Sequence, residues 1–180
     1  MLMARDKSVL LVVDVQERLA PAMHHSQAVV GHCVWLARLA ARLGVPVVVT
    51  EHFPDKLGRT VAELQRATAG ATLVTKQCFS AQADGQLAGT AVGSREQVVI
   101  CGTEAHVCVL QTALELRAAG KAVFAVAQAC GSRDPLDRDL GLERLRGHGV
   151  AVVSREMVAF EWLQRGGTEL FREVHREFLR

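Results

Sequence analysis

Five stretches of this chain are apolar without interruption and end at a polar residue or glycine: SVLLVVD (8–14), PVVVTEH (46–52), QVVICG (97–102), AVFAVAQ (122–128) and VAVVS (150–154). ATLVTK (71–76) is a weaker sixth. A strand with one solvated face alternates apolar and polar residues. A run that is apolar throughout is buried on both faces, which is the condition of a parallel sheet covered by helices. Helical spacing lies between the runs. Val29, Val30, Cys33, Leu36, Ala37, Ala40 and Leu43 share one face, with Gly44 as C-cap and Pro46 beyond it. A second helix follows the fourth strand and closes at Gly120. A third begins at Asp134-Pro135, an N-cap followed by proline at N1, carries Leu136, Leu140 and Leu145, and ends near Gly147 or Gly149. After Gly166-Gly167 a last helix starts at Thr168, with Leu170, Phe171, Val174 and Phe178 on one face. It fits a helix packed on its own domain and equally a subunit interface. Strand–helix alternation with right-handed crossovers predicts a three-layer α/β/α fold. The expected sheet has six strands, mainly parallel, in the Rossmann-like order 3-2-1-4-5-6. No linker or repeat interrupts the pattern, so residues 1–180 are expected to form one domain.

Open parallel sheets bind ligands beyond the carboxyl ends of their strands, at the point where strand order reverses. Three reactive side chains fall there: Asp14 after strand one, Lys76 after strand three, and Cys108 just after strand four, where a helix opens. Each has a plain explanation alone, as a turn aspartate, a solvated lysine and a core thiol. Together they supply a base, a cation and a nucleophile. A thiol attacks as thiolate, and its free pKa is near 8.5. The first helical turn, with its unpaired N–H groups, and a neighbouring ammonium both favour the anion. This predicts a Cys108 that alkylates well below pH 8.5.

Composition narrows the partners. Lys and Arg number 21 against 19 Asp and Glu, so charge gives no reason to expect nucleic acid or an anionic membrane. No apolar stretch approaches a membrane span, and Val9–Val13 is too short for a signal peptide, which points to a cytoplasmic protein. Five cysteines without a CxxC pair argue against a disulfide framework or structural zinc. No glycine-rich phosphate loop follows strand one, which counts against a nucleotide or flavin binder, and no cofactor is expected.

The segments LLVVDVQERL, TKQCFSA and GTEAHVCVLQTALEL, together with TEHFPDKLGRTVAEL after strand two, resemble those of the isochorismatase-like cysteine hydrolases, over nearly the whole chain. The resemblance is nearest to the isochorismatase domain-containing branch, and nicotinamidases and N-carbamoylsarcosine amidase are more distant relations. It implies a triad of Asp14, Lys76 and Cys108. It also implies a cis peptide at Thr103-Glu104, with the amides of Glu104 and Cys108 forming an oxyanion hole. Gln16 and Phe79 would line the substrate pocket. The metal-binding pattern of nicotinamidases is absent: Glu51 and His52 are adjacent in a strand and point to opposite faces, so no metal is expected. A cysteine nucleophile favours acyl transfer on a small amide or related C–N bond. The expected protein is a hydrolase of a small molecule, assembled as a dimer or larger. The rival reading is an oligomeric interaction protein that retains a silent triad.

Overall fold

The computed structural model describes residues 1–179. The six apolar runs form β1 (Ser8–Val13), β2 (Val47–His52), β3 (Thr72–Lys76), β4 (Gln97–Thr103), β5 (Ala122–Gly131) and β6 (Ala151–Val153). All neighbouring strands pair in parallel, in the order β3-β2-β1-β4-β5-β6. The sheet is thus fully parallel, where the sequence predicts a mainly parallel one. β1 is buried at all six positions because it lies between β2 and β4 and is covered on both faces.

One covering layer contains α1 (Ser26–Leu43), and α2 (Pro54–Leu57) and α3 (Ala62–Ala67) follow β2. α4 (Ala91–Ser94) and α5 (Cys108–Ala118) flank β4, and α6 (Pro135–Gly147), α7 (Arg155–Leu163) and α8 (Glu169–Phe178) complete the helices. Leu10 and Val12 of β1 pack with α1, α7 and α8, while Leu11 and Val13 face α5 and α6. Ser154 caps α7 through Met157 N, a helix that the apolar pattern did not single out. Its Trp162 is fully buried, and the indole N–H donates to Ser8 Oγ at 3.0 Å, so burial leaves no polar atom unpaired there.

α8 starts at Thr168, whose hydroxyl accepts from Phe171 N. Val174 and Phe178 are buried on the same chain. Phe178 meets Trp35 of α1 edge to face at 5.7 Å, and Glu177 pairs with Arg38. The apolar face of this helix is therefore covered within the chain. No helix among the described residues is long and apolar enough to cross a membrane.

Two register details build the site. Val13 sits opposite Thr50 on one side and Gly102 on the other, so the ends of β1, β2 and β4 are level. Gly102 has φ 123°, and a Cβ there would lie 2.0 Å from the Val13 carbonyl oxygen. Only glycine lets β4 come this close to β1 at its end.

Candidate active site

Asp14 follows the last residue of β1 in a left-handed conformation, φ 51°. That breaks the strand alternation and aims its carboxylate across the carboxyl ends of the sheet. The turn is fastened on three sides. Asp14 N donates to Thr50 O at 3.1 Å, Thr103 Oγ1 donates to Asp14 O at 2.7 Å, and Thr50 Oγ1 donates to Asp14 Oδ1 at 2.6 Å. Oδ2 lies 2.6 Å from Lys76 Nζ, with both side chains fully buried. Among the described residues no group donates to Oδ2 along a hydrogen-bonding direction.

Lys76 ends β3 opposite His52 of β2. Its ammonium also donates to the carbonyls of Cys78 and Phe79, at 3.1 and 3.0 Å. A buried ammonium needs such a full set of acceptors. The segment carrying those carbonyls is tied to α5: Ala81 N donates to Thr112 Oγ1 at 3.0 Å, and Ser80 Oγ to Glu115 Oε2 at 2.6 Å. Lys76 is thereby held in fixed relation to the helix that begins with Cys108.

Cys108 is the first residue of α5 and is 5% exposed. Asp14 and Lys76 are the charged groups that act on its thiol. Burial pushes the thiol up to about 12, the Asp14 carboxylate adds to this, and Lys76 opposes it. The lowered thiol pKa anticipated from the helix terminus and the ammonium is therefore overturned. The physical reason is that Lys76 is already neutralised by Asp14 at 2.6 Å, so its pull on sulfur does not offset desolvation.

The peptide Thr103-Glu104 is cis. Among the described residues the amides of Glu104 and Cys108 donate to no protein acceptor, whereas Val107 and Val109 both donate to Glu104 O. The loop between them is braced by His106 Nδ1 on Ser132 Oγ at 2.9 Å and by Arg133 Nε on Glu104 Oε2 at 3.0 Å.

The two pocket candidates differ. Phe79 is 53% exposed, with its ring 5.4 Å from that of His52. Gln16 is fully buried: its amide nitrogen donates to His52 O and Gly58 O, and its oxygen accepts from His52 N. It clamps the segment after β2 rather than opening onto a cleft. Burial, then Lys76, holds the His52 imidazole below the usual histidine range. Glu51 points to the other face of β2 and accepts from Thr60. A cleft of about 420 Å³ beside Lys76 is lined by Phe53, Thr75, Gln77, Asp84 and Gln86 among others.

Sequence reasoning missed Thr50, and it named Thr103 for the cis peptide alone, not for the hydroxyl that holds Asp14. The signal was present: hydroxyl residues at the ends of the strands flanking β1, level with Asp14 once the register is known.

The isochorismatase domain model matches residues 8–157. Isochorismatase domain-containing protein 2A of Mus musculus is 31% identical over 171 residues, covering 95% of this chain and 82% of that protein. Among solved structures, the MAR1 ribonuclease of Caenorhabditis elegans superposes with a TM-score of 0.91 at 27% identity, covering 100% of this chain and 93% of that one. YcaC of Escherichia coli, described as an octameric hydrolase of unknown specificity, has a TM-score of 0.86 at 22% identity, covering 92% and 83%, which shows a shared fold.

Proposed function

The chain belongs to the isochorismatase domain family, and on that premise we propose that it is a cysteine hydrolase acting on a small amide or related C–N bond. One observation carries the reading: a buried carboxylate–ammonium pair at 2.6 Å whose two charges both act on the Cys108 thiol at the start of α5. Because the resting thiol is protonated, Asp14 acts as a general base during attack, not as the partner of a standing thiolate. Asp14 Oδ2 takes the thiol proton as sulfur bonds to the carbonyl carbon, and Lys76 stabilises the charge left on sulfur. The carbonyl oxygen becomes an oxyanion held by the amides of Glu104 and Cys108. Collapse breaks the C–N bond, and the leaving nitrogen takes the proton from Asp14. Water, deprotonated by Asp14, then attacks the thioester and returns the thiol.

The reading assigns no metal, because Glu51 and His52 lie on opposite faces of β2 and cannot share an ion. The cleft of about 420 Å³ that reaches Lys76 has room for a small molecule, and Phe79, outside its lining, stands exposed beside His52. Assembly into a homo-oligomer fits the exposed Leu136 and Leu140 of α6 and Met157 and Phe160 of α7. A monomer by light scattering would contradict that part.

The rival reading, an oligomeric interaction protein with a silent triad, is favoured by the closed and protonated Cys108. A panel of amides and carbamoyl compounds separates the two, with an RNA added because the nematode neighbour is named a ribonuclease. Hydrolysis of one of the small molecules by the wild type, with none by a folded Cys108→Ala, supports the hydrolase. RNA cleavage that survives Cys108→Ala, or no turnover of any compound, supports another function.

A further inference from the structure

Behind the sheet, on the face opposite Asp14, Lys76 and Cys108, lies a second cleft of about 500 Å³. The two clefts meet at Pro54, Asp55 and Thr75, which line both, and strand alternation parts them away from that edge. Thr50 of β2 points to Asp14, whereas Val49 and Glu51 line the rear cleft, as do Leu73 and Thr75 of β3. Glu51 is 4% exposed. Its Oε1 accepts from Thr60 N at 2.6 Å and from Thr60 Oγ1 at 2.8 Å, while Oε2 receives no hydrogen bond among the described residues. A clamp on Thr60 needs one acceptor oxygen, which a glutamine would supply without a buried charge. Oε2 is thereby left open to the cleft, where it can accept a hydrogen bond from a bound cation. Arg59 also lines the cleft, and its guanidinium forms no ion pair among the described residues. The wall is mixed: Val49, Ala71 and Leu73, the last 56% exposed on the edge strand, are its apolar part, and Asp55, Gln65 and Thr68 add polar groups.

We propose that this rear cleft binds a small zwitterion, its ammonium on Glu51, its carboxylate on Arg59 and an aliphatic body against Val49, Ala71 and Leu73. The site is distinct from the proposed catalytic one and does not depend on it. Isothermal titration calorimetry of the full chain with L-leucine and with aminovalerate tests it, with isoamylamine as the cation-only control. At least one amino acid binds saturably within tens of millimolar, and more tightly than isoamylamine. Glu51→Gln, which keeps the clamp on Thr60, and Arg59→Ala each weaken that binding about tenfold or more, as loss of a charged hydrogen bond does. Leu73→Trp, at an exposed position, fills the wall and abolishes it. Cys108→Ala leaves it unchanged, because the sulfur lies across the sheet. Unfolding temperatures without ligand confirm that each variant is folded. Absence of saturable binding by either amino acid, equal binding of isoamylamine, or full binding by Glu51→Gln overturns the proposal. Loss of binding in Cys108→Ala also overturns it, by placing the ligand at the front.

Discussion

At the scale of single residues, the site is a fully buried ion pair whose charges are shared with neutral partners. Asp14 is balanced by Lys76 and Thr50, and Lys76 by Asp14 and two carbonyls. Removing one charge leaves the other buried and unpaired, which typically costs about 3–5 kcal/mol. Lys76→Met is therefore expected to lower stability by about that amount, read from the urea midpoint, whatever the protein catalyses. A loss below about 1 kcal/mol would mean that water reaches Asp14 in solution, against its burial here. That Asp14, Lys76 and Cys108 fall at one end of the sheet was legible in the sequence, because each stands at or beyond the carboxyl end of a strand. The ionisation of Cys108 was not. It depends on how far the sulfur is buried and on how completely Asp14 cancels Lys76, and both are set by contacts among three separate segments.

At the scale of elements, the ends of β1, β2 and β4 carry the arrangement. Gly102 admits no side chain, since a Cβ would stand 2.0 Å from Val13 O and 2.7 Å from Val13 N. Gly102→Ala must push β4 away from β1 and with it Thr103, whose hydroxyl holds the Asp14 carbonyl. The expected result is destabilisation of about 3 kcal/mol or more and loss of any Cys108-dependent turnover, checked by urea unfolding and assay of the same sample. A variant of wild-type stability would show that the strand ends are not packed as described. The strands were legible because each is an apolar run, and α1, α6 and α8 because their caps are marked by Gly44, Asp134 and Thr168. α7 escaped notice. Its buried Val158, Ala159 and Trp162 lie among exposed Met157 and Phe160, so its sequence shows no clear polar face. The short α2, α3 and α4 are held by tertiary packing more than by their own pattern.

At the scale of the whole molecule, two apolar layers close on one sheet, and reduced thiols are part of that closure. Burial pushes Cys108 and Cys130 each up to about 12, well above the ordinary thiol value, and a hydrogen bond with Cys33 together with burial raises Cys101 as well. A folded-state value raised above the unfolded one contributes stability that is complete below about pH 9 and is lost as pH rises toward 12. The slope is about 1.4 kcal/mol per pH unit for each thiol. Urea midpoints should hold steady up to about pH 8 and fall steeply above pH 9, and Cys108→Ala should remove about a third of the slope that Cys101, Cys108 and Cys130 supply. A flat profile to pH 11 would show that the thiols are solvated. The order of the sheet could be anticipated from strand–helix alternation, which leaves few topologies. The rear cleft could not, because it arises where the edge of the sheet meets the loop after β2, and no local pattern marks that meeting.

The central claim is that Asp14 lies close enough to Cys108 to govern its proton. Site-resolved alkylation by iodoacetamide, followed by mass spectrometry across pH for wild type and a folded Asp14→Asn, measures this without a known substrate. In the wild type Cys108 should react slowly until well above pH 9. In Asp14→Asn the carboxylate that raises the thiol is gone and Lys76 is unopposed, so the profile should move to lower pH even as any hydrolysis disappears. Superimposable profiles for the two proteins would contradict the account.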